Sequence, residues 1–123
     1  MQSNNGLSWE STHNNDKIAL RLTGELSRNT LLPLWRQRNS FLSVQKLSGR
    51  FVVWELAGIT RIDSAGFALL CDFIHLCQRL NVNRQQIADA PGQLVTLADL
   101  FGLSEWMAPF LQLDGKLNGN SGN

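Results

Sequence analysis

The chain has 123 residues, of which 43% are hydrophobic and 17% charged, with a formal net charge of +1. This length and composition predict one globular domain with a sizeable core. The near-neutral charge argues against a surface for nucleic acid or an anionic membrane, and no apolar run reaches the roughly 18 to 20 residues that span a bilayer. The polar first residues lack a signal-peptide pattern, so we expect a cytoplasmic protein without direct membrane insertion.

The first elements in the chain are two predicted strands. Apolar residues alternate with polar ones in 17–23, and a shorter run at 7–12 precedes them. The intervening His13-Asn14-Asn15-Asp16 supplies typical turn residues. We therefore expect an antiparallel hairpin that ends at Gly24-Glu25.

A helix and an interior strand are predicted next. Apolar residues repeat at helical spacing from Leu31 to Leu42, after Asn29 or Thr30 as the helix cap. Ser48-Gly49 ends this helix. The following run, 51–56, is apolar on both faces and predicts a strand inside a sheet.

The second half of the chain completes an α/β pattern. It predicts a helix at 65–80, a strand at 85–90, a helix at 94–101 closed by Gly102, and a helical turn at 103–107 that Pro109 stops or kinks. The fold class is therefore a single α/β domain with a small mixed β-sheet of about four strands and helices mainly on one face. We place the domain at 7–112 and expect the Gly/Asn-rich residues 113–123 to be a disordered tail.

The predicted helix at 65–80 has more apolar surface than packing on a sheet requires. Burial between the sheet and the preceding helix would explain this surface, and so would docking of a partner. Cys71 and Cys77 lie on different sides of this helix, roughly 9 Å apart along its axis, and are expected to be free thiols.

No set of residues resembles a catalytic or metal centre. His75 would lie about 16 Å along the helix from Ser64, too far to activate its hydroxyl. No Cys, His and carboxylate cluster has metal-ligand spacing, and no glycine loop for phosphate is present. We expect neither enzymatic activity nor a metal or cofactor.

The junction Ile62-Asp63-Ser64-Ala65-Gly66-Phe67 is the candidate functional segment, where a strand meets a helix. In a purely structural interpretation, Ser64 caps the helix by accepting from the N–H of Gly66 or Phe67, which contributes about 1 kcal/mol, and Asp63 interacts with the helix dipole. In a functional interpretation, Gly66 leaves a gap beside the hydroxyl through which another protein reaches the backbone. Phosphorylation of Ser64 would change the charge of that surface without melting the helix.

The same segment resembles the signature of STAS domains, the family of anti-sigma-factor antagonists and sulfate-transporter tails. Gly24-Glu25-Leu26 resembles an early element of that family, and the order of strands and helices agrees over about residues 7–112. Three further segments resemble the small cytoplasmic STAS subunits of bacterial phospholipid-transport ABC complexes: Leu7-Ser8-Trp9, Leu22-Thr23-Gly24-Glu25-Leu26 and Thr30-Leu31-Leu32-Pro33-Leu34-Trp35.

This resemblance implies a non-enzymatic accessory subunit in a system that maintains outer-membrane lipid asymmetry. It implies a cytoplasmic ATPase as partner, contact with the membrane permease only through that ATPase, and a peripheral position at the inner membrane. The expected partner-binding residues are Asp63, Ser64, Ala65, Gly66 and Phe67. Ser64 stands where transporter subunits usually have threonine and where sigma-regulating relatives carry a phosphorylated serine. The alternative function is therefore an anti-sigma-factor antagonist switched by phosphorylation of Ser64.

Overall fold

The fold is a five-stranded mixed sheet with helices on one face. It is described here from a computed structural model that covers residues 2–4 and 6–111. The strands follow in chain and spatial order: β1 (Gln2–Asn4), β2 (Leu7–Asn14), β3 (Lys17–Leu26), β4 (Phe51–Ile62) and β5 (Arg84–Ala88). β1, β2 and β3 pair antiparallel, whereas β3, β4 and β5 pair parallel. The predicted mixed α/β sheet is confirmed, and the three-residue β1 adds a strand to the four expected. The predicted tail at 113–123 lies outside the described residues.

The helical elements between β3 and β5 are α1 (Leu31–Arg36), a 3-10 turn (Arg38–Ser40), α2 (Val44–Leu47) and α3 (Ser64–Arg79). After β5 come α4 (Gly92–Leu100) and α5 (Ser104–Leu111). The single helix predicted to begin after Asn29 or Thr30 and to end at Ser48-Gly49 is therefore wrong. The chain bends at Gln37 and again at Phe41 (φ −128°), which allows Phe41 and Leu42 to be buried in the core. Tertiary burial of these two side chains outweighs continuation of the local helix.

An aromatic cluster ties α3 to the sheet and to the α1 region. The buried Phe73 ring stacks on Trp54 of β4, with ring centroids 6.1 Å apart, and on Trp35 of α1 at 6.3 Å. Phe41 meets the same ring edge-on at 5.9 Å. Offset and edge-to-face contacts of this kind add stabilisation beyond area burial. Much of the apolar surface of α3 is thus covered within the monomer.

The sheet has a buried face and an open face, as the alternation in β3 predicts. Leu20 and Leu22 are buried toward the helices, whereas Arg21 projects between them on the other side and pairs with Glu55 at 3.1 Å. Within residues 2–4 and 6–111, no helix is long and apolar enough to cross a membrane.

The helix α4 ends in a C-terminal cap at Gly102. Gly102 has a φ of +72°, and its N–H donates to the Asp99 carbonyl at 3.1 Å, while the Leu103 N–H donates to the Ala98 carbonyl at 2.7 Å. This is the Schellman arrangement, which glycine adopts without steric cost. The prediction that Gly102 follows a helix end is confirmed. Of the two effects predicted for Pro109, the stop is wrong, because Pro109 lies inside α5 and the helix continues to Leu111.

Candidate functional site

The β4–α3 junction is capped by Asp63. Asp63 has extended backbone dihedral angles, and its Oδ1 accepts a hydrogen bond from the Gly66 N–H at 2.9 Å. Ser64 is already the first helical residue, so the expectation that Ser64 caps the helix is wrong. Aspartate and serine are both good caps, and the sequence alone does not distinguish two that are adjacent. The structure assigns the capping role to the carboxylate.

The second carboxylate oxygen of Asp63 binds the β3–α1 loop. Oδ2 accepts from the Arg28 N–H at 3.2 Å, which links the start of α3 to that loop. Burial on its own would raise the pKa of Asp63. The pKa is nevertheless held below its ordinary value by hydrogen bonds from the N–H groups of Gly66 and Arg28, by the Arg61 charge and by the Ala65 N–H. Asp63 is therefore ionised at neutral pH and fastens two segments at once.

Gly66 fills a close contact inside the domain and leaves no gap for a partner. A Cβ at this position would lie 2.0 Å from the Leu26 carbonyl oxygen and 2.6 Å from its carbon. The residue is buried, so the interpretation of Gly66 as an opening beside the hydroxyl is wrong. Glycine is required because the first turn of α3 packs directly on the backbone at the end of β3.

Phe67 is also an interior residue. Its side chain is 2% exposed, and its ring stacks on Phe101 from the end of α4, with centroids 5.9 Å apart. Phe101 itself is 52% exposed. The apolar surface next to the junction therefore belongs to the end of α4, and no pattern in the sequence connects α4 with this site.

Ser64 and Ala65 are the outward-facing residues of the first turn. Ser64 is exposed and Ala65 is half-buried. Within the described parts of the chain, the Ser64 hydroxyl makes no hydrogen bond. Because Asp63 caps the helix, this hydroxyl is available to a second molecule.

The loop before α1 is held by a polar network that sequence reasoning missed. The buried Thr30 hydroxyl donates to the Glu25 carbonyl at 2.7 Å and accepts from the Ser27 N–H at 3.0 Å. Glu25 also pairs with Arg61 at 3.0 Å. Thr30 stands at the N-cap of α1, as one of the two predicted candidates, but its side chain fixes the loop and makes no helix-capping bond. The Ser27-x-x-Thr30 spacing in a polar loop is the signal that could have shown this network.

A groove runs between α1 and the exposed stripe of α3. It encloses about 780 Å³, with Phe73, Leu76 and Leu80 among its apolar residues and Arg38, His75 and Arg79 among its polar ones. The Arg38 guanidinium lies 3.7 Å from the centre of the Trp35 ring, a cation–π contact that holds both side chains at its edge.

The remaining candidate chemical groups are isolated from one another. His75 is exposed and stacks on Trp106 at 4.9 Å. Cys71 and Cys77 are free thiols, and burial raises their pKa values to about 11 and about 12. Among residues 2–4 and 6–111, no group of three His, Cys, Asp or Glu residues could hold a metal ion.

Two solved structures share the fold of this chain. The chain is similar to the Bacillus cell fate determinant SpoIIAA in its phosphorylated form, with a TM-score of 0.64 and 13% identity over 89% of this chain and 93% of that one. The unphosphorylated form of the anti-sigma factor antagonist SpoIIAA gives a TM-score of 0.60 and 14% identity over 80% and 84% of the two chains. At this level of identity, the similarity defines the fold, which is that of a STAS domain.

Sequence relatives define the family more narrowly. The family model described as "Mlab, STAS domain" matches residues 9–113. The Haemophilus influenzae intermembrane phospholipid transport system binding protein MlaB is 55% identical over 105 residues, covering 85% of this chain and 99% of that protein. The Escherichia coli protein of the same name is 33% identical, covering 84% and 95%. The chain belongs to the MlaB family of STAS domains.

Proposed function

We propose that this chain is a non-catalytic subunit of a phospholipid-transport ABC complex, in which it binds the ATPase subunit. The names of its relatives as phospholipid transport system binding proteins support this role. In this proposal the domain stays on the cytoplasmic side, peripheral at the inner membrane, and reaches the permease only through the ATPase. The transported phospholipid need not contact the domain itself.

The observation that carries the proposal is the exposed Ser64 hydroxyl on the first turn of α3. We assign the direct contact to Ser64, with Asp63 and Ala65 beside it on the accessible surface. Gly66 and Phe67 contribute from beneath, because they set the position of this turn against the end of β3 and α4. The binding surface is thus presented by a rigid helix start.

A charge introduced at Ser64 tests this assignment. Ser64→Glu places an unpaired carboxylate in the contact, and its desolvation is expected to weaken binding by on the order of a few kcal/mol. The isolated domain should remain folded, because a negative charge near a helix N-terminus is favourable. Co-purification with the cognate ATPase and titration of the purified proteins measure the loss, and thermal melting checks the fold.

Two control variants make the result specific. Ser64→Thr keeps the hydroxyl and should retain binding. Ser48→Glu adds the same charge to an exposed serine at the opposite end of β4 and should leave binding unchanged. Undiminished complex formation by Ser64→Glu would reject this location of the interface.

The second candidate is an anti-sigma-factor antagonist controlled by phosphorylation of Ser64. The exposure of Ser64 favours it, because a kinase needs access to the hydroxyl. The hydroxyl is also not needed as a cap, because Asp63 caps the helix. Intact-mass measurement after incubation with ATP and a cognate anti-sigma kinase distinguishes the two functions. A single phosphoryl group that disappears in Ser64→Ala would support the switch, whereas an unmodified mass would reject it.

A further inference from the structure

The C-terminal end of α4 exposes two adjacent large apolar side chains. Leu100 is 73% exposed and Phe101 is 52% exposed. Single exposed leucines are common on protein surfaces and need no explanation. Two neighbouring ones beside a candidate binding residue form a surface that a partner would desolvate.

Two contacts and the helical spacing of α4 place these side chains beside the Ser64 turn. The Ile62 N–H donates to Gln93 Oε1 at 2.9 Å, which attaches the first turn of α4 to the end of β4. Leu97 and Leu100 follow Gln93 by four and seven residues and so share its face of the helix. Phe101 stacks on Phe67, which lies three residues after Ser64 and on the same side of α3.

The backbone at Leu100 and the ring of Phe101 are held in place before any partner binds. The hydrogen bonds from Gly102 and Leu103 back to Asp99 and Ala98 close the helix at this point. A closed helix end and a stacked ring reduce the conformational entropy that binding would otherwise remove. These are the properties of a preorganised contact residue.

We propose that Leu100 and Phe101 form an apolar anchor for the same ATPase that contacts Ser64; this inference rests on the function proposed above. Two partly exposed side chains offer only a fraction of the ~800 Å² that each partner buries in a stable interface. They therefore need an adjoining surface, and the exposed first turn of α3 lies next to them through the contact between Phe101 and Phe67. A partner that does not contact Ser64 would have to find the rest of its interface elsewhere on the domain.

The charges around the site predict the charges on the ATPase surface that binds it. Arg28 and Arg61 lie on the loop side of the junction, whereas Asp99 and Glu105 are exposed near the anchor. We expect the complementary ATPase surface to carry an apolar side chain against Leu100 and Phe101. Arg61 is already paired with Glu25, so an acidic group should face Arg28. A basic group should face Asp99 or Glu105.

Leu100→Asp is the direct test, because Leu100 is largely exposed and its replacement removes little from the core. Its matched control is Val95→Asp on the same helix: Val95 is 47% exposed and lies about 140° around the helix from Leu100. Titration of the purified ATPase with each variant should give a Kd at least tenfold weaker for Leu100→Asp and within twofold of wild type for Val95→Asp. Phe101→Leu, which keeps an apolar side chain over Phe67, should give an intermediate loss.

The outcomes separate this inference from the function on which it rests. If the wild-type domain does not bind the ATPase, the proposed function fails. If the wild type binds and Leu100→Asp binds equally well with an unchanged Tm, only the anchor is rejected. If sedimentation shows that the domain alone forms a dimer lost in Leu100→Asp, the anchor belongs to a second copy and its assignment to the ATPase is wrong.

Discussion

Replacing Gly66 by alanine tests how tightly the first turn of α3 packs on β3. The added Cβ would lie 2.0 Å from the Leu26 carbonyl oxygen, a backbone atom that cannot rotate away. The helix start must therefore move by about 1 Å, a displacement of the kind for which overpacking costs about 1–3 kcal/mol. The same movement stretches the bond from the Gly66 N–H to Asp63, worth about 1 kcal/mol, while the higher helix propensity of alanine returns a similar amount.

The net loss is about 1–3 kcal/mol in the free energy of unfolding, which corresponds to a decrease in Tm of about 4–12 °C for a domain of this size. Urea titration and thermal melting measure both quantities. Gly92→Ala is the control, because nothing lies within 4 Å of its Cβ position, and it should be neutral or stabilising by up to about 1 kcal/mol. Equal melting temperatures for Gly66→Ala and Gly92→Ala would refute the argument.

Two further predictions concern polar groups of the fold. Asp63→Ala removes the cap of α3 and should lower the free energy of unfolding by about 1 kcal/mol at pH 7. Because the pKa of Asp63 is lowered in the folded state, its contribution is complete above its ordinary value of 3.8 and is lost as the pH falls below it. The difference between wild type and variant should therefore shrink below about pH 4 in urea titrations, and a constant difference would contradict the assignment. Gln85→Leu leaves the indole N–H of Trp54, which donates to Gln85 at 2.9 Å, buried without its partner. We expect a loss of about 2 kcal/mol in the same assay, and a variant as stable as wild type would show that the hydrogen bond contributes little.

The sequence identified the elements whose signals are local. Alternation in 17–23 and the apolar run at 51–56 mark strands that the structure contains, because a half-buried or interior strand leaves a direct pattern. The continuation of β4 through residues 57–62, which mixes small, apolar and polar side chains, leaves no such pattern. It exists because its backbone pairs with β3, for example Glu25 with Arg61.

The sequence motif predicts where the candidate site lies but not how its residues are arranged. Asp63 and Ser64 are chemically suited to the same capping role, so only the backbone geometry decides between them. Gly66 was predicted to be open to solvent because the sequence carries no information about Leu26, which lies 40 residues away and packs against it. The proximity of Phe101 to Phe67 depends in the same way on how α4 returns to the end of β4.

Asp63 and Ser64 have separate roles at the start of α3, so one of these two positions can change without loss of the fold. Since the Asp63 carboxylate caps the helix, the fold does not require a particular side chain at position 64. In the proposed complex, substitutions at position 64 should change binding of the ATPase and leave the folding yield unchanged. In this proposal, one residue of an adjacent pair maintains the fold and the other selects the binding partner.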